Sequence, residues 1–320
     1  MPDLRPAAAH GAPPVTSGFL SALGGRIAER WLAALALPGL LFLSAVTTAV
    51  VLGHEHWSDV DRLRAWLDTL AHSPASRSAG TVVLVAAGVL AGAAVTGAAA
   101  QSLGTGVELL WCAQAHGPVL RYLADRRSRR WRAADASFRT ALVTAGRARI
   151  EGTDHADRLA DIAERRCADR DRIASAPPRH PFWTGDRLAA PAQRLWRARR
   201  LDLAAAWPHL WLLAADGTRA ELQAARLRLT AAARLCAWGA GYLVLALWWW
   251  PAGLAGVVAV ASGVRRGRAA ADAFAELTEA LADLHVRDVA TALGVECAGV
   301  DDRVLGERLT RLLRKERREA

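Results

Sequence analysis

The chain has 320 residues and a formal net charge of +10, and 52% of its residues are hydrophobic. Its four cysteines, Cys112, Cys167, Cys236 and Cys297, are isolated, so the sequence predicts neither a disulfide framework nor a zinc site. Much of the apolar content falls in uncharged blocks, which makes the soluble part smaller than the length suggests.

The N-terminal region, residues 1–30, is predicted to be disordered at first and then to form a short amphipathic lead-in. Residues 31–53, from Trp31 to Gly53, are long and apolar enough to cross a membrane. A cleaved signal peptide is the competing interpretation, but its apolar core is shorter and begins closer to the N-terminus. We therefore expect an uncleaved anchor.

Residues 31–104 are predicted to form a first transmembrane hairpin with an outer loop at 54–79. The loop is acidic, and the apolar residues within it recur at near-helical spacing, which predicts a short helix on the outer surface. These residues are Trp57, Leu63, Trp66, Leu67 and Leu70. The return crossing contains Gly88, Gly92 and Gly97, which permit close helix packing.

A dense cluster of arginines follows the first hairpin: Arg121, Arg126, Arg127, Arg129, Arg130 and Arg132. Arginine is enriched on the cytoplasmic side of membrane proteins, so residues 105–232 and both termini are predicted to be cytoplasmic. The cluster is interpreted either as a topology determinant or as a contact with anionic lipid headgroups. Nucleic acid is not an expected partner, since no nucleic-acid-binding fold signature accompanies the arginines.

The cytoplasmic residues 105–232 are predicted to be helical throughout. Helices are expected over 107–149, as one or two segments, and over 155–174, with a break at 176–181. Thr218 and Glu221 have the spacing of a capping box. The helix predicted to begin there contains no helix-breaking residue before the uncharged stretch 235–264, so it can continue into that stretch.

Residues 233–264 are predicted to form a second membrane hairpin, because the uncharged stretch 235–264 has arginine on both flanks and Trp250-Pro251 near its centre. Its arms are short for a bilayer, so a full and a re-entrant hairpin both remain open. The tip, Trp248, Trp249 and Trp250, is interpreted as an interfacial belt. Residues 265–320 are predicted to be a helical cytoplasmic tail, with a short separate helix around 287–293 and a last helix capped by Asp301 or Asp302.

No strand pattern is present, so the predicted fold class is all-α, an integral membrane protein with two transmembrane hairpins and about four membrane segments. The sequence carries no Walker loop, GxSxG elbow or HExxH helix, which removes the usual grounds for proposing an enzyme. The stretch His54-Glu55-His56 is interpreted as a solvated loop rather than a metal site. No catalytic, cofactor-binding or metal-binding residue is therefore predicted.

The most distinctive soluble residues are predicted to form either a packed elbow between two helices or a small binding or catalytic pocket. They are Asp186, Arg187, Asp202, Trp207, His209 and Trp211. The Trp207-Pro208 pair is expected to stop a helix, since the residue before proline avoids the α region. Asp202 is expected to pair with Arg187 or Arg194.

The run GDRLAAPAQRLWRARRLDLAAAWPHLWLL, followed by a Trp-rich hairpin, resembles a group of uncharacterised actinobacterial integral membrane proteins. Members have an aromatic residue and a glycine before the Leu-Asp pair, where this chain has Arg199-Arg200. The resemblance implies the membrane architecture and the bacterial source, and it implies no activity.

Three functions are consistent with these observations. The first is a non-enzymatic scaffold or regulator of a membrane-associated complex, in the plasma (inner) membrane, with a protein partner. The second is a pore or transporter component: the predicted spans contain no charged residue of the kind that marks an ion path, but a homo-oligomer could still form an apolar gate. The third is a membrane-anchored enzyme with a pocket around residues 186–211.

Overall fold

The computed structural model describes residues 37–72, 78–115, 117–174 and 176–315. They contain helices and no strand, which confirms the all-α prediction. The N-terminal region and the start of the first predicted span, residues 1–36, lie outside the described residues. The helices are α1 (Leu37–Leu52), α2 (Val60–Ala71), α3 (Ala79–Cys112), α4 (Pro118–Ile150), α5 (Ala156–Ile173), α6 (Trp183–Arg199), α7 (Leu203–Leu213), α8 (Asp216–Leu245), α9 (Pro251–Ala292) and α10 (Asp302–Leu313).

Several helices lie where the hydrophobic spacing predicts them. The short helix expected in the first loop is α2, whose first turn is capped by the Asp59 carboxylate at 3.0 Å from the amide of Arg62. The helix predicted to run without a break into the second apolar block is α8. The cap of the last helix is Asp301, whose carboxylate accepts from the amide of Arg303 at 2.8 Å.

Three local predictions are wrong. Pro208 does not stop a helix: it lies inside α7, because burial of Leu203, Ala206 and Leu210 on one face stabilises the helix against the cost of the proline, about 3 kcal/mol. The separate helix expected over 287–293 is the end of α9, since no breaker precedes it. Helix α8 begins at Asp216, ahead of the predicted capping box, so Thr218 lies within its first turn.

The described chain divides into two compact units. Unit 1 comprises residues 37–102 and 241–255, and unit 2 comprises residues 103–240 and 256–315. In unit 1, α1 and α3 approach closely at Gly39, where a Cβ would overlap the backbone of Ala93. Of the small residues predicted to pack closely, Gly92 faces Leu43 of α1, whereas a Cβ on Gly88 would have no neighbour within 4 Å.

The loop after α1 and the turn between α8 and α9 lie at the same end of unit 1. His54 Nδ1 is 2.7 Å from the carbonyl of Trp248, and the indole of Trp249 donates to the carbonyl of Trp57 at 3.2 Å. The rings of Trp57 and Trp250 meet edge to face, with 5.0 Å between their centroids. These contacts join the two loops of unit 1 to each other.

One helix among the described residues, α3, is long and apolar enough to cross a membrane. Only 11% of its most apolar segment is buried, which distinguishes it from the core helix of a soluble protein. Helices α1 and α7 are apolar but shorter. Because α3 exposes valine and leucine side chains to its surroundings, unit 1 presents an apolar surface.

Unit 2 has its main apolar core among α6, α7, α8, α9 and α10. The fully buried side chains include Leu201, Leu210, Leu222, Leu281 and Leu305. A second cluster surrounds Trp111 at the end of α3, together with small residues of α8 and α9. Helices α4 and α5 pack against each other along their lengths and are joined by a short loop.

Candidate functional site

The arginine cluster lies on α4, and the structure separates it into two groups. Arg121, Arg126, Arg129, Arg130 and Arg132 are exposed. By helical spacing, Arg126, Arg129 and Arg130 lie on the side of the helix away from the buried residues Ala124, Trp131 and Asp135, and Arg121 and Arg132 lie at the edge of that side. None of the five forms an ion pair with a described residue. We call these five residues the basic face. Tyr122 is exposed among these arginines. Trp131 is instead buried, and its indole donates to the carbonyl of Ala174 at 2.7 Å.

The sixth arginine, Arg127, points into unit 2 and holds the loop between α5 and α6. Its guanidinium donates to the carbonyls of Ile173 (2.7 Å) and His180 (2.9 Å) and pairs with the carboxylate of Asp186. The Arg127 side chain is 12% exposed. Burial lowers the pKa of the Arg127 guanidinium from its ordinary value, although the charge of Asp186 opposes this shift. Arg127 is therefore part of the fold rather than of the basic face.

Asp186 uses both of its carboxylate oxygens in this network. One oxygen accepts from the amides of Arg179 and His180 and lies 2.9 Å from His180 Nδ1, and the other accepts from Arg127. A Cβ on the neighbouring Gly185 would lie 2.5 Å from the carbonyl of Trp111, so the backbone at this point is closely packed. Asp186 consequently organises the loop that precedes α6.

A cavity of about 340 Å³ borders this network. Its charged lining residues are already paired: Asp186 with Arg127, Arg187 with Asp272 at 2.6 Å, and Asp171 with Arg170 at 2.7 Å. Paired groups of this kind hold helices together and leave no unpaired base or nucleophile among the charged residues that line the cavity.

Arg187 and Arg194 of α6 pair with a stripe of carboxylates on α9. Arg187 contacts Asp272, Glu276 and Glu279, and Arg194 contacts Glu279 at 2.7 Å and Asp283 at 2.9 Å. The stripe is Asp272, Glu276, Glu279 and Asp283, whose spacing places them on one face of a helix. We call these contacts the α6–α9 ion pairs.

Asp202 pairs with neither Arg187 nor Arg194, so that prediction is wrong. It caps α7, accepting from the amide of Ala204 at 3.0 Å, and it receives two hydrogen bonds from Arg314 at 2.9 and 2.6 Å. Its own amide donates to Thr310 Oγ1 at 2.9 Å. The reason is geometric: α6 ends at Arg200 in a left-handed conformation (φ 54°), which turns Asp202 away from the α6–α9 ion pairs and toward α10.

Trp207 and Trp211 line an apolar groove of about 670 Å³ with Leu222 and Leu227 of α8 and Phe274 of α9. The two indole rings are tilted against each other, with 6.0 Å between their centroids. His209 lies on the same helix, and its Nδ1 is buried without a hydrogen-bond partner among the described residues. The six predicted elbow or pocket residues thus belong to three places: the cavity, the α7 cap, and helix α7 with its groove.

The predicted loop His54-Glu55-His56 is occupied by other contacts. His54 binds the carbonyl of Trp248, and His56 Nδ1 lies 3.1 Å from a guanidinium nitrogen of Arg62. Within 37–72, 78–115, 117–174 and 176–315, no group of three metal-ligating side chains is found. The four cysteines are free thiols.

Sequence reasoning missed His180, Glu108 and the carboxylates of α9. Glu108 pairs with Arg226 at 2.8 Å, and its second oxygen is buried without a partner among the described residues, as is Arg234 Nε. The helical spacing of acids on α9 was visible in the sequence, whereas the positions of His180 and Glu108 depend on tertiary packing. No family model, curated protein or solved structure matches the chain.

Proposed function

We propose that this chain is a multi-pass protein of the plasma membrane with both termini in the cytoplasm, and that it acts as a non-enzymatic scaffold or regulator of a membrane-associated complex. The observation that carries the proposal is the contact between the two loops of unit 1. Two loops in contact lie on the same side of a bilayer. If the two predicted hairpins both turn on that side, each returns the chain to the opposite side, where both termini then lie.

The exposed surface of α3 supports insertion into a bilayer. Its segment 79–107 carries no charged residue and most of its residues are exposed, which is costly in water and favourable among acyl chains. The apolar arms of the second hairpin are shorter than the about 20 residues of an upright crossing, so that hairpin inserts either fully or as a re-entrant loop. The resemblance of the run GDRLAAPAQRLWRARRLDLAAAWPHLWLL to actinobacterial membrane proteins supports the same architecture.

Unit 2 supplies surfaces suited to recognition rather than to chemistry. The basic face offers five arginines without ion partners among the described residues, which suits anionic lipid headgroups. The Trp207–Trp211 groove offers an apolar surface of the kind that receives a partner helix. The cavity next to Asp186 has its charged groups paired with one another, which favours a structural role.

The proposal is tested by purifying the tagged chain from its native membrane in a mild detergent, with mass spectrometry and native mass measurement. We expect the chain to remain in the membrane after alkaline carbonate washing and to co-purify with a foreign protein in fixed stoichiometry. Release of the chain by carbonate would overturn the membrane assignment. Recovery of a homo-oligomer alone would overturn the scaffold role and direct attention to ion conductance in liposomes.

A further inference from the structure

Helix α2 has an apolar face that is open to its surroundings. Leu63, Trp66, Leu67 and Leu70 recur at the spacing of one helical face. No residue of α2 is buried, and the exposed fractions are 37% for Trp66, 52% for Leu67 and 48% for Leu70. Large apolar side chains this exposed on a short helix indicate that a lipid or protein surface covers them in the native membrane.

The charged residues of α2 lie on its other side. Asp61, Arg64 and Asp68 face away from the apolar residues, and Arg64 pairs with Asp61 at 3.2 Å. Residues 54–72 contain four carboxylates and two arginines, so the segment has no basic excess that would draw it to an anionic partner. This segregation fits an interface that is apolar on one side and aqueous on the other, without a net negative charge.

The contacts of the preceding loop fix where α2 begins. The carbonyl of Trp57 receives the indole of Trp249, and Asp59 then caps α2 within unit 1. Trp57 and Trp250 are 46% and 41% exposed beside this point. Tryptophan is enriched at the boundary between acyl chains and headgroups, so a cluster of exposed indoles marks that depth.

From these observations we infer that α2 is an interfacial helix, which lies on the outer leaflet of the bilayer with Trp66, Leu67 and Leu70 among the upper acyl chains. The apolar face of α2 contacts neutral or zwitterionic lipid, and this contact depends on buried apolar area rather than on charge. The inference rests on the proposed topology, since it places residues 54–72 on the outer side. It adds a second membrane contact that is independent of the basic face.

The test compares two adjacent positions, one on each face of α2. Leu67→Cys and Asp68→Cys are made in the full chain, and intact cells are treated with a membrane-impermeant maleimide. The unsubstituted chain is the control, because its cysteines are cytoplasmic or within the membrane in the proposed topology. Labelling after denaturation in SDS defines complete reaction.

We expect Asp68→Cys to be labelled rapidly from outside and Leu67→Cys to be labelled severalfold more slowly. Equal rapid labelling of both positions would show that the apolar face stands in water, which overturns the inference and leaves the topology intact. Labelling of Asp68→Cys only after the membrane is permeabilised would overturn the topology, and the inference with it. Protection of both positions even after permeabilisation would indicate a protein cover and also overturn the inference.

Slow labelling of Leu67→Cys is then assigned to lipid by fluorescence. The variant chain, with Cys112, Cys167 and Cys297 changed to serine, is labelled with bimane and reconstituted in vesicles of zwitterionic lipid. A nitroxide lipid with its spin label near the headgroup should quench the probe at 67 severalfold more than the probe at 68. Equal quenching at both positions would overturn the inference.

Discussion

At the scale of single residues, neighbouring arginines of α4 have opposite roles. Arg127 is buried and pairs with Asp186, whereas Arg126 is exposed and forms no ion pair with a described residue. Arg127→Gln leaves the Asp186 carboxylate buried without its counter-charge, so we expect a loss of about 3 kcal/mol in the free energy of unfolding. Arg126→Gln should change this free energy by less than about 0.5 kcal/mol.

Pulse proteolysis of the full chain in nanodiscs, over a range of urea concentrations, measures both variants. The comparison separates a structural arginine from a charge of the basic face, since both substitutions remove one positive charge from the same turn of the helix. Equal stability of the two variants would contradict the assignment of Arg127 to the fold.

Asp202 gives a prediction about pH. Burial raises the pKa of its carboxyl group, but hydrogen bonds from Arg314 and from the amides of Ala205 and Ala204, with the charge of Arg314, outweigh burial and hold the pKa below its ordinary value. A lowered folded-state pKa stabilises the protein at every pH above the unfolded value, about 3.9, and this stabilisation is lost as the pH falls through the folded-state pKa.

Asp202→Asn keeps a helix cap and removes the charge. We therefore expect it to be less stable than the unsubstituted chain at neutral pH, with a difference that shrinks as the pH falls below about 4. Asp202→Ala removes the cap as well and should cost about 1 kcal/mol more at either pH. Unfolding monitored at neutral and acid pH checks both, and a difference for the asparagine variant that stays constant with pH would refute the role of the charge.

At the scale of secondary-structure elements, the α6–α9 ion pairs decide how α6 is held. The Arg187 side chain is 17% exposed and faces three carboxylates, whereas Arg194 is 55% exposed. Removing the Arg187 guanidinium leaves Asp272 and Glu276 without their arginine partner, while Glu279 keeps its contact with Arg194. We expect Arg187→Gln to cost about 3 kcal/mol and Arg194→Gln to cost less than about 1 kcal/mol.

The same unfolding measurement at low and high salt tests this difference. Salt screens exposed pairs more than buried ones, so the effect of Arg194→Gln should fall as the salt concentration rises while that of Arg187→Gln persists. A cost for Arg187→Gln as small and as salt-sensitive as that for Arg194→Gln would show that the α6–α9 ion pairs are only a solvated surface feature.

These elements also show what the sequence alone could predict. Apolar spacing located α2, α5 and α10, and the absence of a breaker located the long helix α8, because these signals are local. The partner of Asp202 could not be predicted, since it depends on the left-handed turn at Arg200 that brings α10 to the start of α7. The helix through Pro208 was missed because tertiary burial of Leu210 outweighed a local preference.

The division of the predicted site residues has the same explanation. Asp186 and Trp211 are close in sequence, and residue types suggested one pocket. In the structure, Asp186 faces the α5–α6 loop and Trp211 faces α8, because α6 and α7 are separate helices joined by the turn at Arg200. Spacing identifies a helical face, whereas the neighbour of that face is set by packing between elements.

At the scale of the whole molecule, the basic face predicts a dependence on lipid composition. Each arginine close to a negatively charged leaflet contributes about 1 kcal/mol of attraction, which decays within about 10 Å at 0.1 M salt. Five arginines on one half of α4 should therefore slow amide hydrogen exchange in residues 118–134 when anionic lipid is added to zwitterionic nanodiscs. The effect should diminish as salt is raised.

The variant with all five arginines of the basic face changed to glutamine should lose this response to anionic lipid while keeping its exchange in zwitterionic lipid. Arg147 and Arg149, near the far end of α4, provide a matched control, since changing them to glutamine alters the charge of the same helix away from the basic face. If the control variant loses the response as fully as the fivefold variant, the attraction depends on net charge rather than on the basic face. If α4 exchanges at one rate in every lipid, the arginines act only in setting the topology, because a headgroup contact strong enough to hold the helix must protect its amides.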